Sequence, residues 1–349
     1  MKRIWRRAVL PGLLALLATA LLPAAASARP AAPHLAAASA AAPATYGVRP
    51  ATADAPDNRP NFSYSATPGA VVVDHVAVSN VSNDPLSLKL YPNDAFNTPD
   101  GGFDLLASSA KSVDVGAWIA VEQDQVQIPG RTTKIVPFRL SIPQNATPGD
   151  HVGGIVAALV TEATNADGQK VAVEQRVGAR VYLRISGDLV PKLSIDGLTA
   201  DYEHSLFGAG DTVVEYTVRN SGNVRLGGKQ KVTVETPWGS GTAAPNLPDL
   251  PELLPGNSFR VRTVVPGVLP AGWLDTLVHI DPIAPPGPQP QAAAVDASVT
   301  VAAVPWLVLI LLLLVVALVL FLLWRRRRRR ARPVPEPEPE PTPEVEHAV

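Results

Sequence analysis

The sequence predicts an all-β protein with two β-sandwich domains and one C-terminal transmembrane helix. Six segments in the middle of the chain alternate apolar and polar residues and are rich in Val, Ile and Thr, which is the pattern of half-buried strands. Gly, Pro, Asn and Asp interrupt these segments at short intervals, as in antiparallel sandwiches. Residues 304–324 carry no charged side chain and are long enough to cross a bilayer as a helix.

The N-terminus predicts export of the chain. Residues 1–28 begin with basic side chains, continue with an apolar run and end in Ala26-Ser27-Ala28, the order of a cleavable secretory signal. A retained membrane anchor or a buried helix is the alternative, although the apolar run is short for a span. Residues 29–45 follow as an Ala/Pro-rich leader. The chain contains no Cys, so its exported part depends on apolar burial and sheet hydrogen bonds without disulfides.

Two sandwich domains are predicted over 46–188 and 189–282. Strands are expected at 71–80, 134–142, 171–186, 211–220, 229–236 and 259–265. Three landmarks recur in the same order: an Asn that ends a strand (VAVSN and YTVRN), a Pro-Gly turn (129-130 and 255-256), and a turn glycine before an apolar strand (Gly149 and Gly272). They indicate two related immunoglobulin-like domains. Convergent turn chemistry is the alternative, because such turns are common in all-β chains.

The C-terminal segments predict a single-pass type I protein of the cell membrane with an extracellular ectodomain. Residues 283–303 are Pro-rich and predict a stiff stalk. The span 304–324 has Trp306 near its start and Trp324 at its end, where aromatic rings favour the headgroup level. The six arginines that follow stay on the cytoplasmic side of a span, and the remainder of 325–349 is a Pro-Glu tail.

Nucleic acid is excluded as a partner of the ectodomain. Residues 30–303 hold 26 acidic and 18 basic residues, and such a surface repels phosphate backbones. The basic residues cluster instead at the two ends of the chain. The arginine run is therefore interpreted as a membrane-topology signal rather than a nucleic-acid contact.

A family resemblance is carried by the stretches YPNDAFNTPDGGFDLL, SIPQNATPGDHVGGIVAAL and QRVGARVYLRISG. They resemble the peptidoglycan-binding domain of the bacterial WxL-interacting surface proteins. The resemblance covers about 46–188 and the order of signal, two sandwiches, span and basic tail. It implies attachment to the cell wall. The second domain, with YTVRNSGNVRLGG, departs from the partner-binding domain of that family and looks like a generic immunoglobulin-like module.

The candidate ligand-binding site lies in the most specific part of this resemblance. Its residues are Gly149, Asp150, His151, Gly153 and Gly154. One interpretation is structural, because Pro-Gly suits a type II turn and glycines at a strand start permit a bulge or a close neighbouring backbone. The functional interpretation is a shallow groove that the glycines leave open to a glycan or stem peptide, with the Asp and His at its rim.

Other candidate sites are weaker. Four oxygen-bearing side chains could surround a Ca²⁺ ion, but their spacing misses the alternate-residue pattern of a calcium loop: Asp94, Asn97, Asp100 and Asp104. No two ectodomain His residues stand at zinc-ligand spacing, so no metal and no cofactor is expected. Three tryptophans could stack on sugar rings, but core packing is the favoured interpretation: Trp118, Trp238 and Trp273.

The sequence favours a binding protein over an enzyme. It has no Cys nucleophile, no G-x-S-x-G elbow, no P-loop and no dinucleotide fingerprint, so no catalytic residue is assigned. We expect a membrane-anchored surface protein that binds peptidoglycan or another wall polymer, a wall-associated protein partner, or both. The alternative is an accessory or sensory subunit whose ectodomain pairs with another membrane protein. A wall-modifying enzyme is the third hypothesis.

Overall fold

The structure is a computed structural model that describes residues 44–330 apart from 165–168, 206–207 and 289. The predicted signal and most of the leader lie outside the described residues, as does the tail beyond 330. The first strand begins at Tyr46, where the first sandwich was predicted to begin. Most of the described chain is strand, with one long C-terminal helix. The prediction of an all-β chain with a C-terminal apolar helix is confirmed.

The first sandwich pairs a four-stranded sheet with a six-stranded sheet. Its elements are β1 (Tyr46–Ala51), β2 (Phe62–Ala66), β3 (Val71–Asn80), β4 (Leu86–Asn97), β5 (Phe103–Leu105), α1 (Val115–Trp118), β6 (Ile119–Val121), β7 (Gln125–Ile128), β8 (Thr133–Ser141), β9 (Gly149–Thr164) and β10 (Lys170–Ile185). The sheet orders are β1-β3-β8-β6 and β2-β10-β9-β4-β5, with β7 also paired to β4. Inward-facing apolar residues of the two sheets form one core, as strand alternation dictates.

The second sandwich pairs a three-stranded sheet with a five-stranded sheet. Its elements are β11 (Leu193–Glu203), β12 (Gly210–Asn220), β13 (Leu226–Glu235), β14 (Gly241–Ala243), β15 (Leu250–Leu253), β16 (Ser258–Val268), β17 (Gly272–Ile283) and β18 (Val295–Ala303). The sheet orders are β11-β12-β16 and β14-β13-β17-β18, with β15 also paired to β13. A separate apolar core lies between these sheets.

The predicted stalk over 283–303 is corrected by β18. Its nine residues pair antiparallel with β17, from Gly272↔Ala303 to Ile280↔Val295. The stretch VDASVTVAA alternates Val with small and polar residues, which is a strand pattern. In the Pro-rich segment before it, the described residues 284–288 and 290–294 have no helix or strand. The second sandwich therefore continues past 282 to Ala303.

The helix α2 (Trp306–Arg330) follows the second sandwich directly. Its segment Trp306–Arg328 is long and apolar enough to cross a membrane. The helix begins two residues later than predicted, after Pro305, whose carbonyl accepts from Leu309 N. It also continues into the arginines, since Arg is a good helix former. The guanidinium of Arg328 lies 3.9 Å from the Trp324 ring, one turn earlier.

Two of the three tryptophan interpretations are wrong. Trp118 packs against the first core. Trp238 and Trp273, however, are 65% and 56% exposed. Trp238 lies in the turn between β13 and β14, and Trp273 lies on the outward face of β17. Neither ring is a core residue of the second sandwich.

Candidate functional site

The five predicted site residues lie at the start of β9, beside the junction of the two sandwiches. Gly149 has a φ of +125°, a conformation that favours glycine. A Cβ there would lie 2.4 Å from the carbonyl oxygen of Asn223 in the second sandwich. Gly149 is therefore required both by its backbone conformation and by the close approach of the second domain.

Gly153 and Gly154 do not form an open groove, because both are buried. A Cβ on Gly153 would lie 2.8 Å from the carbonyl oxygen of Asn93 on β4. A Cβ on Gly154 would lie 2.5 Å from a methyl group of Leu105 and 2.9 Å from the carbonyl oxygen of Ala179. These glycines permit close packing of β5 and α1 over the sheet. The expected shallow groove over the glycines is therefore wrong.

Asp150 is the central charged group of the junction. Its side chain is 5% exposed and accepts two hydrogen bonds from Arg184 on the neighbouring strand, at 2.7 and 2.8 Å. It also accepts from the backbone N of Arg225 in the second sandwich, at 3.0 Å. The bond with Asp150 raises the pKa of Arg184, so the guanidinium stays charged. Asp150 thus links the two sandwiches through charged and backbone groups.

Arg225 belongs to the second sandwich but packs onto the first. Its guanidinium lies 3.8 Å from the centre of the Tyr182 ring on β10, a favourable cation–π distance. Its Nε lies 3.7 Å from Asp150 and, among the described residues, has no hydrogen-bond partner. A second carboxylate, Glu252, lies 3.6 Å from its Nη1. The Arg225 side chain is therefore held in place at the junction with one donor unused.

A second set of contacts closes the junction around Asn223. Its side-chain amide donates to the carbonyl oxygens of Pro148 and Asp188 at 2.9 and 2.8 Å. Its side-chain oxygen accepts from Val190 N at 2.7 Å, and its backbone carbonyl accepts from Asp150 N at 2.7 Å. These bonds fix the connection between β10 and β11 against the start of β9.

His151 lies beside Asp150 and is held by three contacts. Its Nδ1 is 2.7 Å from Asp114, its Nε2 is 2.8 Å from the carbonyl oxygen of Thr147, and its ring centre is 5.0 Å from that of Trp118. Burial alone lowers the pKa of His151, but the hydrogen bond and negative charge of Asp114 outweigh it and raise the pKa above its usual value. The ring therefore carries more positive charge near neutral pH than a free His.

A cleft of about 370 Å³ opens at this junction. Its wall includes Ser63 and Ser65 of β2, His151, Arg184, Arg225 and Pro286. Arg184, Arg225 and one carboxylate, Asp150, line this wall, and Glu252 outside the lining also pairs with Arg225. Such a lining can bind a polar ligand that carries a carboxylate.

Two of the five predicted residues, Asp150 and His151, line the cleft, and their role in ligand binding stays a prediction. Sequence reasoning missed Arg184, Arg225 and the two serines. Arg184 alternates with core residues in VYLRIS, so the sequence indicated that its side chain points away from the core. Arg225 follows the strand-ending Asn by five residues, and only the domain junction brings it to Asp150.

Three of the four side chains that were weighed and rejected as calcium ligands make structural contacts in the described part of the chain. Asp94 is buried and accepts backbone N–H groups at the start of α1 at 2.7 to 3.0 Å. Asn97 bonds Leu254 N of the second sandwich, and Asp104 pairs with Arg176. Among the described residues, no group of three His, Cys, Asp or Glu side chains could hold a metal ion.

No protein-family model and no curated protein matches the chain. Similar solved structures include the class 5 fimbriae chaperone CfaA, at 13% identity and a TM-score of 0.32, over 75% of this chain and 100% of that one. The YadV chaperone is 12% identical with a TM-score of 0.30, over 73% and 99% of the two chains. The CupB2 chaperone of Pseudomonas aeruginosa is 10% identical with a TM-score of 0.28, over 70% and 98%.

At these identities and TM-scores the similarities carry no argument about what this chain does. The three structures are chaperones rather than WxL-interacting proteins. The resemblance to that family, and the attachment to the wall that it implies, therefore stay predictions.

Proposed function

We propose that this chain is a non-catalytic binding protein of the cell surface, anchored in the membrane by α2. Its ligand is peptidoglycan or another wall polymer that carries carboxylates. The observation that carries the proposal is the cleft at the junction of the sandwiches, whose lining holds the guanidinium groups of Arg184 and Arg225 and one carboxylate, Asp150. Guanidinium groups pair with carboxylates in a fixed, two-bond geometry, and stem peptides of a wall polymer end in such groups.

The rest of the cleft wall suits a polar polymer. Ser63 and Ser65 are exposed on β2 and can exchange hydrogen bonds with sugar hydroxyls. β2 is the outermost strand of its sheet within the described chain, so an extended ligand can approach it from the side. Each contact is polar and partly solvated, so a single site binds weakly. Many copies on one membrane facing one polymer would bind far more tightly.

A blocked cleft tests the proposal. The full-length protein in detergent micelles is incubated with insoluble peptidoglycan, and the retained fraction is measured after sedimentation. Ser65→Tyr places a ring in the cleft without touching the core. Ser87→Tyr is the matched control, because Ser87 is also exposed on a strand but lies outside the cleft.

We expect retention of the unmodified protein and of Ser87→Tyr, and loss of retention for Ser65→Tyr. Equal retention of the two variants would show that the wall polymer binds elsewhere. Failure of the unmodified protein to sediment with peptidoglycan would rule out the polymer as ligand.

The second candidate, an accessory subunit that pairs with another membrane protein, is favoured by one observation. β9 and β10 form a hairpin that continues past the sandwich, since β4 pairs with β9 only as far as Ala158. On its core-facing side, Val171 and Val173 are 40% and 41% exposed. Two valines in the register of the core, with nothing described over them, are suited to contact a protein partner.

Co-purification from the protein's own membrane separates this candidate from the first. Val173→Glu changes the hairpin, and Val264→Glu is the matched control on β16, where the valine is 44% exposed. A membrane protein that co-purifies with Val264→Glu and is lost from Val173→Glu supports pairing through the hairpin. Identical protein profiles for both variants contradict it.

A further inference from the structure

The second sandwich and the apolar helix are joined by a very short connection. β18 ends at Ala303 and α2 begins at Trp306. Two intervening residues, Val304 and Pro305, hold this end of the sandwich within about 10 Å of the helix start, since an extended chain spans roughly 3.5 Å per residue. The sandwich therefore cannot stand far from a membrane that α2 crosses.

The strand registers show which part of the sandwich lies at this end. Gly272 pairs with Ala303, so the turn between β16 and β17 lies beside the end of β18. Glu235 pairs with Asp275, three positions further along β17. The turn that follows Glu235, residues 236–240, therefore lies at the same end. Two turns of the sandwich thus face the side from which the helix leaves.

Both turns expose large apolar side chains. Trp238 in the first turn is 65% exposed, Leu269 in the second is 57% exposed, and Trp273 at the start of β17 is 56% exposed. Trp306 follows at the start of α2 and is 59% exposed. Tryptophan favours the headgroup layer of a bilayer, where its ring meets apolar chains and its N–H meets polar groups.

We propose that this end of the second sandwich docks directly on the bilayer, with Trp238, Leu269 and Trp273 inserted into the headgroup layer around the start of α2. The partner is the lipid surface itself. These three residues and the two turns, 236–240 and 269–271, form the membrane-facing end. The docking explains why two tryptophans lie outside the core at the one end that the helix ties to the membrane.

The charges near the membrane-facing end favour neutral over anionic lipids. The strand ends there carry Glu235 and Asp275, which pair in register, and Asp211, whose carboxylate accepts from Gly267 N. Carboxylates repel anionic headgroups. Docking must therefore come from the aromatic and apolar side chains, and we expect it in vesicles of phosphatidylcholine and at high salt, where surface charge is screened.

The absence of cysteine from the chain permits a clean test. Leu269→Cys in the full-length protein is labelled with a thiol-reactive fluorophore and reconstituted into phosphatidylcholine vesicles whose acyl chains carry bromine, which quenches nearby fluorophores. Lys229→Cys is the matched control, because Lys229 is exposed on β13 seven residues before the turn 236–240 of the membrane-facing end. Both labels are also measured in a Trp238→Ser, Trp273→Ser background, whose folding is checked by thermal unfolding.

We expect the label at 269 to lose most of its emission in brominated vesicles and the label at 229 to keep it. In the double-serine background the loss of emission from the label at 269 should fall to the small loss seen with the label at 229. Equal emission from the two labels would overturn the proposal. Quenching at 269 that is unchanged in the double-serine background would overturn it too. Protection from water-soluble iodide without bromine quenching would mean that a second copy, rather than lipid, covers this end, and would overturn it as well.

Discussion

Substitution of Asp150 by Asn should destabilise the junction of the two sandwiches more than any exposed carboxylate does. The change keeps the size of the side chain and removes its charge. Asp150 is 5% exposed and accepts two bonds from Arg184 and one from the backbone N of Arg225. The amide group of Asn can accept at one oxygen only, so its NH₂ faces a guanidinium that also donates.

The magnitude follows from burial. Removal of one partner from a buried ion pair costs about 3–5 kcal/mol, because the remaining charge stays buried without compensation. The side chains of Arg184 and Arg225 are 17% and 16% exposed, so water reaches them and reduces this loss. We therefore expect the free energy of unfolding to fall by about 3 kcal/mol, toward the lower end of that range.

Urea unfolding of the full-length protein in detergent micelles, followed by far-ultraviolet circular dichroism of the strands, measures the effect. With a slope of about 2–3 kcal/mol per molar urea, the midpoint should fall by about 1 M. Asp201→Asn is the control, because Asp201 is exposed on β11 of the second sandwich. Asp201→Asn also removes one negative charge, but it leaves no buried guanidinium without a partner.

A second feature of the same experiment reports on the link between domains. Loss of the contact from Asp150 to Arg225 weakens the coupling of the two sandwiches, so a single transition should broaden or divide into two. A midpoint for Asp150→Asn that matches Asp201→Asn would refute the reasoning, since the buried pair would then contribute no more than an exposed charge.

Two further predictions concern neighbouring residues. Gly154→Ala should lower the free energy of unfolding by about 1–3 kcal/mol, because its Cβ would clash with Leu105 and the carbonyl oxygen of Ala179. Gly47→Ala is the control and should leave stability unchanged, since no atom lies within 4 Å of a Cβ there. Equal melting temperatures of the two variants in thermal unfolding would contradict the clash. The raised pKa of His151 means that its pairing with Asp114 stabilises the fold fully below about pH 6.5 and that this stability is lost as pH rises through the folded pKa. Urea unfolding is measured between about pH 5 and pH 9 for the unmodified protein and for Asp114→Asn. The difference between their free energies of unfolding should shrink as pH rises. A difference that stays constant over this range would contradict the prediction.

The repeated landmarks of the sequence correspond to one repeated structural device. Asn80 and Asn220 end equivalent strands, β3 and β12, and both are buried. The amide of Asn80 donates to the carbonyl oxygens of Asp84 and Ile128, and that of Asn220 donates to those of Val224 and Leu253. Each Asn thus ties its own turn to the segment before the Pro-Gly turn. This much was predictable, because the landmark residues are local and their order along the chain is visible.

Other features were misjudged from the sequence or depend on tertiary packing. The strand β18 follows a Pro-rich segment that made the whole of 283–303 look like a stalk, and only its pairing with β17 shows where the sandwich ends. The exposure of Trp238 and Trp273 was likewise unpredicted. A tryptophan in an all-β chain is usually buried, and its burial depends on which sheet covers it.

The sequence by itself determined the all-β character, six of the strands and the helix that can cross a membrane, because each depends on the periodicity and composition of neighbouring residues. Tertiary structure alone decided the cleft and its charges. Asp150, Arg184 and Arg225 are separated by 34 and 41 residues along the chain, and they meet only because strand register and the docking of two separately folded cores place them together. Such a meeting is a property of the packed domains, and no local pattern encodes it.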